Sequence, residues 1–126
     1  MKSYITSILQ EYQINQYNIN IVFISDRFMT QLNEHYRKRS GITDVLSFIL
    51  SAESSPVLEG EVYISREQAG RQAKEFGVPV AEEIVRLATH GILHLAGRTH
   101  KTESELKSYQ EDTERLMNRY YRKENA

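Results

Sequence analysis

Apolar side chains recur along this chain with two periods, and the changes of period sketch a succession of elements. Ile5, Ile8, Leu9 and Tyr12 stand three and four apart, the one-face spacing of an amphipathic helix, which predicts a helix over 2–13. Asn18 and Asn20 then alternate with Ile19 and Ile21, the two-residue period of a half-buried strand, so the run Ile19 to Ile24 reads as β-structure. Ser25 or Asp26 can cap a second helix carrying Phe28, Leu32 and Tyr36, ending near a basic triplet and Gly41. Val45 to Leu50 reads as a strand. Ser51 to Gly60 is polar, holds Pro56 and reads as a loop, and Glu61 to Ile64 reads as another strand.

The second half is helical. Ser65 with Gln68 makes a capping box for a helix running to Gly77. Pro79 suits the first turn of the next helix, where a missing N–H costs nothing, and Glu82 and Glu83 sit near that helix's positive end. Thr102 with Glu105 makes a second capping box, opening a last helix with Leu106, Tyr109, Leu116 and Tyr120, and the charged tail after Tyr121 is expected to fray. The expected fold class is α+β: one small domain over 1–126, a mixed sheet of three to four strands covered by about five helices.

Composition narrows the function classes. With 126 residues and 40% hydrophobic content, the chain suits one core. No run approaches the roughly 18 apolar residues of a membrane span, and Met1 to Tyr4 lead into an amphipathic segment rather than a cleavable apolar one. A cytoplasmic location without membrane contact is the expectation. The chain has no cysteine, which excludes a disulfide framework and thiolate metal ligation. A net charge of −1 argues against gripping nucleic acid by bulk electrostatics.

Three of the four histidines fall between His90 and His100. Residues four apart on a helix are neighbours, with Cβ atoms roughly 5–6 Å apart. The imidazoles of His90 and His94 can therefore converge on one ion. Gly97 suits the left-handed position past a helix end, which would turn the chain and bring His100 to the same point. A histidine pair alone is more often an accident of a half-buried face, and the third histidine behind a glycine favours the metal site. Three ligands leave a position open for water, as catalytic zinc sites do; a fourth would have to be Asp, Glu or His35. Gly91 stands where the common zinc protease pattern has its general base, which disfavours a peptidase.

The histidine stretch, together with Thr43 to Phe48 and Gly60 to Ser65, resembles the YbeY family of bacterial rRNA maturation factors and endoribonucleases. The resemblance runs from about Ile21 to Glu105. It implies a zinc-dependent, single-strand-specific endoribonuclease, with one Zn2+ per chain, acting on the 3′ end of small-subunit rRNA and in ribosome quality control. By the same resemblance His90, His94 and His100 match the family's metal ligands, and Arg37 matches an arginine facing the metal cleft. Arg98 and Thr99 stand where the family pattern usually has an aromatic residue or histidine and then an aspartate, so a hydroxyl replaces a carboxylate beside the third ligand. Many relatives begin with an additional strand, so one sheet edge is expected to be shorter here.

An RNA enzyme of this net charge must concentrate its cations. Arg37, Lys38 and Arg39 before the strand motif, and Arg98 and Lys101 beside His100, are the candidate RNA contacts. Arg37 would hold the scissile phosphate and stabilise charge in the transition state. No general base stands out among Asp44, Glu61 and Glu83, and Asp44 reads better as a structural group bonded to nearby backbone. Phe48 and Tyr63 read as core residues on inner strands, whereas Tyr36 leaves room for base stacking. Two other classes remain: a zinc hydrolase of another substrate, and a noncatalytic ribosome-associated factor. RNA and ribosomal components are the expected partners, and the sequence does not name an oligomeric state.

Overall fold

A computed structural model describes residues 2–37, 45–97 and 102–122, the side chains of Tyr36 and Arg37 excepted. The elements run α1 (Lys2–Glu11), β1 (Tyr17–Ile24), α2 (Asp26–Arg37), β2 (Val45–Ile49), β3 (Leu58–Ser65), α3 (Arg66–Phe76), α4 (Val80–Leu95) and α5 (Glu103–Leu116), which continues into a π-helical stretch, Met117–Arg122. Among the described residues this is a three-stranded mixed sheet with five helices, the expected α+β class.

The strand order is β1-β3-β2. β3 lies in the middle, parallel to β1 with Ile21 opposite Val62, and antiparallel to β2 with Ser47 opposite Val62. Side chains alternate across a sheet, so Ile19, Ile21, Val45, Val62 and Ile64 share one face and Leu46, Phe48, Glu61 and Tyr63 the other. β3 begins at Leu58, earlier than expected, because Leu58 and Glu59 pair with Tyr17 and Asn18. The polar composition of Ser51 to Gly60 hid a strand end whose partners lie about forty residues away.

α4 lies on the first face. Its Val85, Leu87, Ala88, Ile92, Leu93 and Leu95 are buried, a helix apolar on several sides because the sheet, α1, α3 and α5 surround it. Burying a leucine or isoleucine fully contributes roughly 1.5–3 kcal/mol, and α4 brings both Ile92 and Leu93 to complete burial. α1 adds Ile5, Ile8 and Leu9 to the same core, and α5 adds Tyr109 and Leu116. α2 covers the opposite face with the buried Met29.

Tyr63 lies on the inner strand β3 as expected and Phe48 does not, and neither ring reaches the main core. β2 is an edge strand, and the two rings sit half-buried in an edge-to-face pair 5.7 Å apart, outside the main core. Pro79 also sits one step earlier than expected, as the extended residue that caps α4.

Both capping boxes open their helices on the expected serine and threonine: the Ser65 hydroxyl accepts from the Gln68 N–H at 3.2 Å and the Thr102 hydroxyl from the Glu105 N–H at 3.1 Å. Ser25, rather than Asp26, caps α2 through the Phe28 N–H. Asp26 instead accepts a hydrogen bond from Ser65 and pairs with Arg71 at 2.6 Å, tying the start of α2 to α3. The Ser65 bond and the Arg71 guanidinium hold the Asp26 carboxyl below its ordinary range.

Candidate active site

His90 and His94 occupy the last turns of α4, one helical turn apart and both half-buried. The ring of Tyr109, from α5, lies against both, with centroids 5.2 Å from His90 and 5.7 Å from His94. The Tyr109 hydroxyl donates to the His90 carbonyl at 2.5 Å, fixing the ring from its far end. Two imidazoles on one helix face, braced by a common aromatic ring at a helix C-terminus, suit a cation. The helix dipole adds negative potential there, and neutral imidazole is a ready ligand for a divalent transition metal. After Leu95 the chain turns at Ala96, and Gly97 takes φ 95°, a left-handed conformation that a side chain would strain. His100 lies outside the described residues. So do Arg39, Arg98 and Lys101, together with Lys38, Thr43, Asp44 and Thr99. Arg37 is the last residue of α2, and its side chain is outside the description.

Gly91, between the two histidines, has a structural duty that the absence of a general base did not reveal. A Cβ built there would come within 2.4 Å of Val62 Cγ1 and 3.1 Å of the Ser47 hydroxyl. That hydroxyl donates to the Gly91 carbonyl at 3.1 Å. The position lets α4 approach the sheet closely, which sets the height of both imidazoles above it.

Of the carboxylates considered as bases, Glu61 stands on the sheet face opposite α4 and accepts the Tyr63 hydroxyl at 2.9 Å. Glu83 is on α4 but only 1% exposed, with Arg86 at 3.2 Å. Arg86 also binds Glu114 of α5 and approaches Glu82 at 3.9 Å, while Arg122 joins Glu114 at 3.0 Å and Glu82 at 3.6 Å. Glu83, Arg86 and Glu114 of this network line a cleft of about 430 Å³ between α3, α4 and α5, and His90 lines the same cleft. Behind α4, the Tyr4 hydroxyl meets the Thr89 hydroxyl at 2.6 Å; burial pushes the Tyr4 phenol up to about 12.

The sequence profile of the endoribonuclease YbeY family matches residues 1–121. The chain belongs to this family. A relative from Treponema denticola, described as endoribonuclease YbeY, is 33% identical over 121 residues, covering 89% of this chain and 78% of its own. Another of that description, from Carboxydothermus hydrogenoformans, is 36% identical over 99 residues, 79% of this chain and 69% of its own. The solution structure of TM1509 from Thermotoga maritima superposes with a TM-score of 0.59 at 26% identity, covering 94% of this chain and 80% of that one.

As a YbeY family member the chain carries two features that its motifs did not announce. Tyr109 reads in sequence as one more apolar position of α5, yet its ring contacts both candidate ligands. Glu83 reads as a dipole partner in the first turn of α4, yet it is buried with Arg86. The i, i+3 spacing of Glu83 and Arg86 was the available signal for the pair. Tyr109 had none, because it lies nineteen residues beyond His90 on another helix.

Proposed function

We propose that this protein is a zinc-dependent endoribonuclease that cleaves single-stranded RNA, acting on the 3′ end of small-subunit rRNA and in ribosome quality control. Membership of the endoribonuclease YbeY family supports the reaction class. The observation that carries the metal-dependent reading is the pair of half-buried imidazoles, one turn apart on α4 and both against Tyr109. RNA is the substrate, ribosomal particles are the partners, and the cytoplasm is the compartment where both are met. Among the described residues no helix is long and apolar enough to cross a membrane.

His90, His94 and His100 would hold one Zn2+. When bound, zinc supplies a Lewis acid for a phosphate oxygen and lowers the pKa of a water toward about 7. The protein's own groups do the rest. Tyr109 fixes the α4 imidazoles from behind. Arg37 holds the scissile phosphate with its planar, permanently charged fork and stabilises the charge that grows on it. Arg39, Arg98 and Lys101 bind the flanking phosphates. Thr99, just before His100, can offer the third ligand a hydroxyl but no carboxylate. The zinc peptidase alternative is weak because Gly91, filled in behind by Val62, has no room for a general base.

The test is cleavage of a 5′-labelled single-stranded RNA and its duplex form by wild type, chelated and zinc-restored protein, alongside Arg37→Ala. Cleavage of the single strand alone, lost on chelation and restored by zinc, is expected. Arg37→Ala should keep its zinc and lose at least ten-fold in kcat/KM. Full cleavage by metal-free protein would overturn the zinc reading. Zinc-loaded protein that binds ribosomal particles without cleaving RNA would point to a noncatalytic factor.

A further inference from the structure

We propose that the cleft between α3, α4 and α5 seats one unpaired nucleobase of the RNA, next to the phosphate that is cleaved. The inference rests on the endoribonuclease reading above and adds to it a specificity pocket. His90 lines the cleft, so an occupant would lie beside the candidate metal ligands. At about 430 Å³ the space is large enough for one nucleoside.

The walls have the chemistry of a base site. Phe76, at the end of α3, lines the cleft with 57% of its surface exposed, and an aromatic ring in that position offers a stacking platform. Gln72 and Gln110 line it from α3 and α5. An amide both donates and accepts, which matches the mixed edge of a base.

Among the described residues the charges at this cleft disfavour a phosphate. Arg86 and Arg122 are shared among Glu82, Glu83 and Glu114, two guanidinium groups against three carboxylates. The cations are thus committed, and Glu114, 45% exposed, leaves a mildly negative rim suited to the N–H groups of a neutral ring. A base inside a duplex cannot reach such a slot, whereas a splayed base can. The cleft therefore supplies a physical basis for single-strand preference that does not depend on the metal ligands.

The test is a cycle between protein and RNA. Once the cleavage position of wild type is mapped, an abasic nucleotide is placed at each position flanking it. One abasic position should lower kcat/KM roughly ten- to a hundred-fold, the range of a lost base stack. Phe76→Ala should lower it by a similar factor on intact RNA and show no further loss on that abasic RNA. Phe76 is exposed, so the variant should fold; if its circular dichroism is altered, Gln110→Ala replaces it in the same cycle. Losses that multiply independently, or no sensitive position, would overturn the proposal. If wild type cleaves no RNA, the endoribonuclease reading fails by itself. The cleft is then judged by 1H–15N spectra with adenosine, guanosine, cytidine and uridine. Shifts gathered at Gln72, Phe76 and Gln110 retain it, and no shift there overturns it.

Discussion

Tyr109 and His90 are joined twice: the tyrosine hydroxyl donates to the histidine's backbone carbonyl, and the two rings lie 5.2 Å apart at a 34° tilt. A carbonyl oxygen has two lone pairs, so this bond coexists with the helical one. The tyrosine is only 5% exposed and reaches His94 edge-on as well, which makes α5 the back wall of the candidate metal centre. Tyr109→Phe keeps the ring and should cost about 1 kcal/mol with zinc content unchanged. Tyr109→Ala should cost about 3–5 kcal/mol and weaken zinc binding. Urea denaturation and competition against a chelator measure the two effects separately.

The closeness of α4 to the sheet makes Gly91 a packing residue. Gly91→Ala puts a methyl 2.4 Å from Val62 Cγ1, where backbone and strand must separate. The expected loss is about 1–3 kcal/mol, the usual cost of overpacking. Val62→Ala opens the same space, so Gly91→Ala should cost less in that background than in wild type. Equal costs in both backgrounds, read by denaturant midpoints, would show that the clash lies elsewhere.

Glu83 is buried and pairs with the partly exposed Arg86, so the two should be energetically coupled. Arg86→Met leaves a buried carboxylate without its nearest cation, and the expected cost is about 3–5 kcal/mol. Changing both Glu83 and Arg86 to Met should recover part of that loss, since Glu82 and Glu114 also lose Arg86. Thermal and urea unfolding of the two single variants and the double variant would reveal the coupling.

Tyr4 predicts an alkaline limb. Its phenol is held near 12 by burial when folded and stands at 10.0 otherwise. Between those values the unfolded chain loses the proton that the folded chain keeps, so stability is full below pH 10 and falls as pH rises toward 12. The shift corresponds to about 2–3 kcal/mol. Tyr4→Phe should flatten this limb, while lowering stability at neutral pH through the lost bond to Thr89. Urea titrations from pH 8 to about 12 would follow both.

Local signals were readable in the sequence where the physics is local. Ser65 with Gln68 and Thr102 with Glu105 each satisfy orphan N–H groups within one turn, and both open helices where their spacing predicts. Gly97 was readable as the left-handed residue past α4 for the same reason. Distant partners were not readable. Leu58 and Glu59 look like loop until Tyr17 and Asn18 pair with them. Phe48 looks like core until β2 proves to be an edge. In sequence Gly91 stands out for the carboxylate it lacks, whereas its reason for being glycine is Val62 on a strand almost thirty residues earlier. The placement of His90 and His94 one turn apart on α4 followed from spacing alone, whereas the Tyr109 ring against them required the packed α5.

The metal centre is tested by its zinc content. Tag-free wild type and His94→Ala, purified in parallel and equilibrated with zinc before removal of free metal, should be compared by elemental analysis. About one zinc per wild-type chain is expected, as three imidazoles closing on one ion require, and little in His94→Ala, with both proteins folded by circular dichroism. Equal zinc in the two proteins, or none in wild type, would overturn the three-histidine centre.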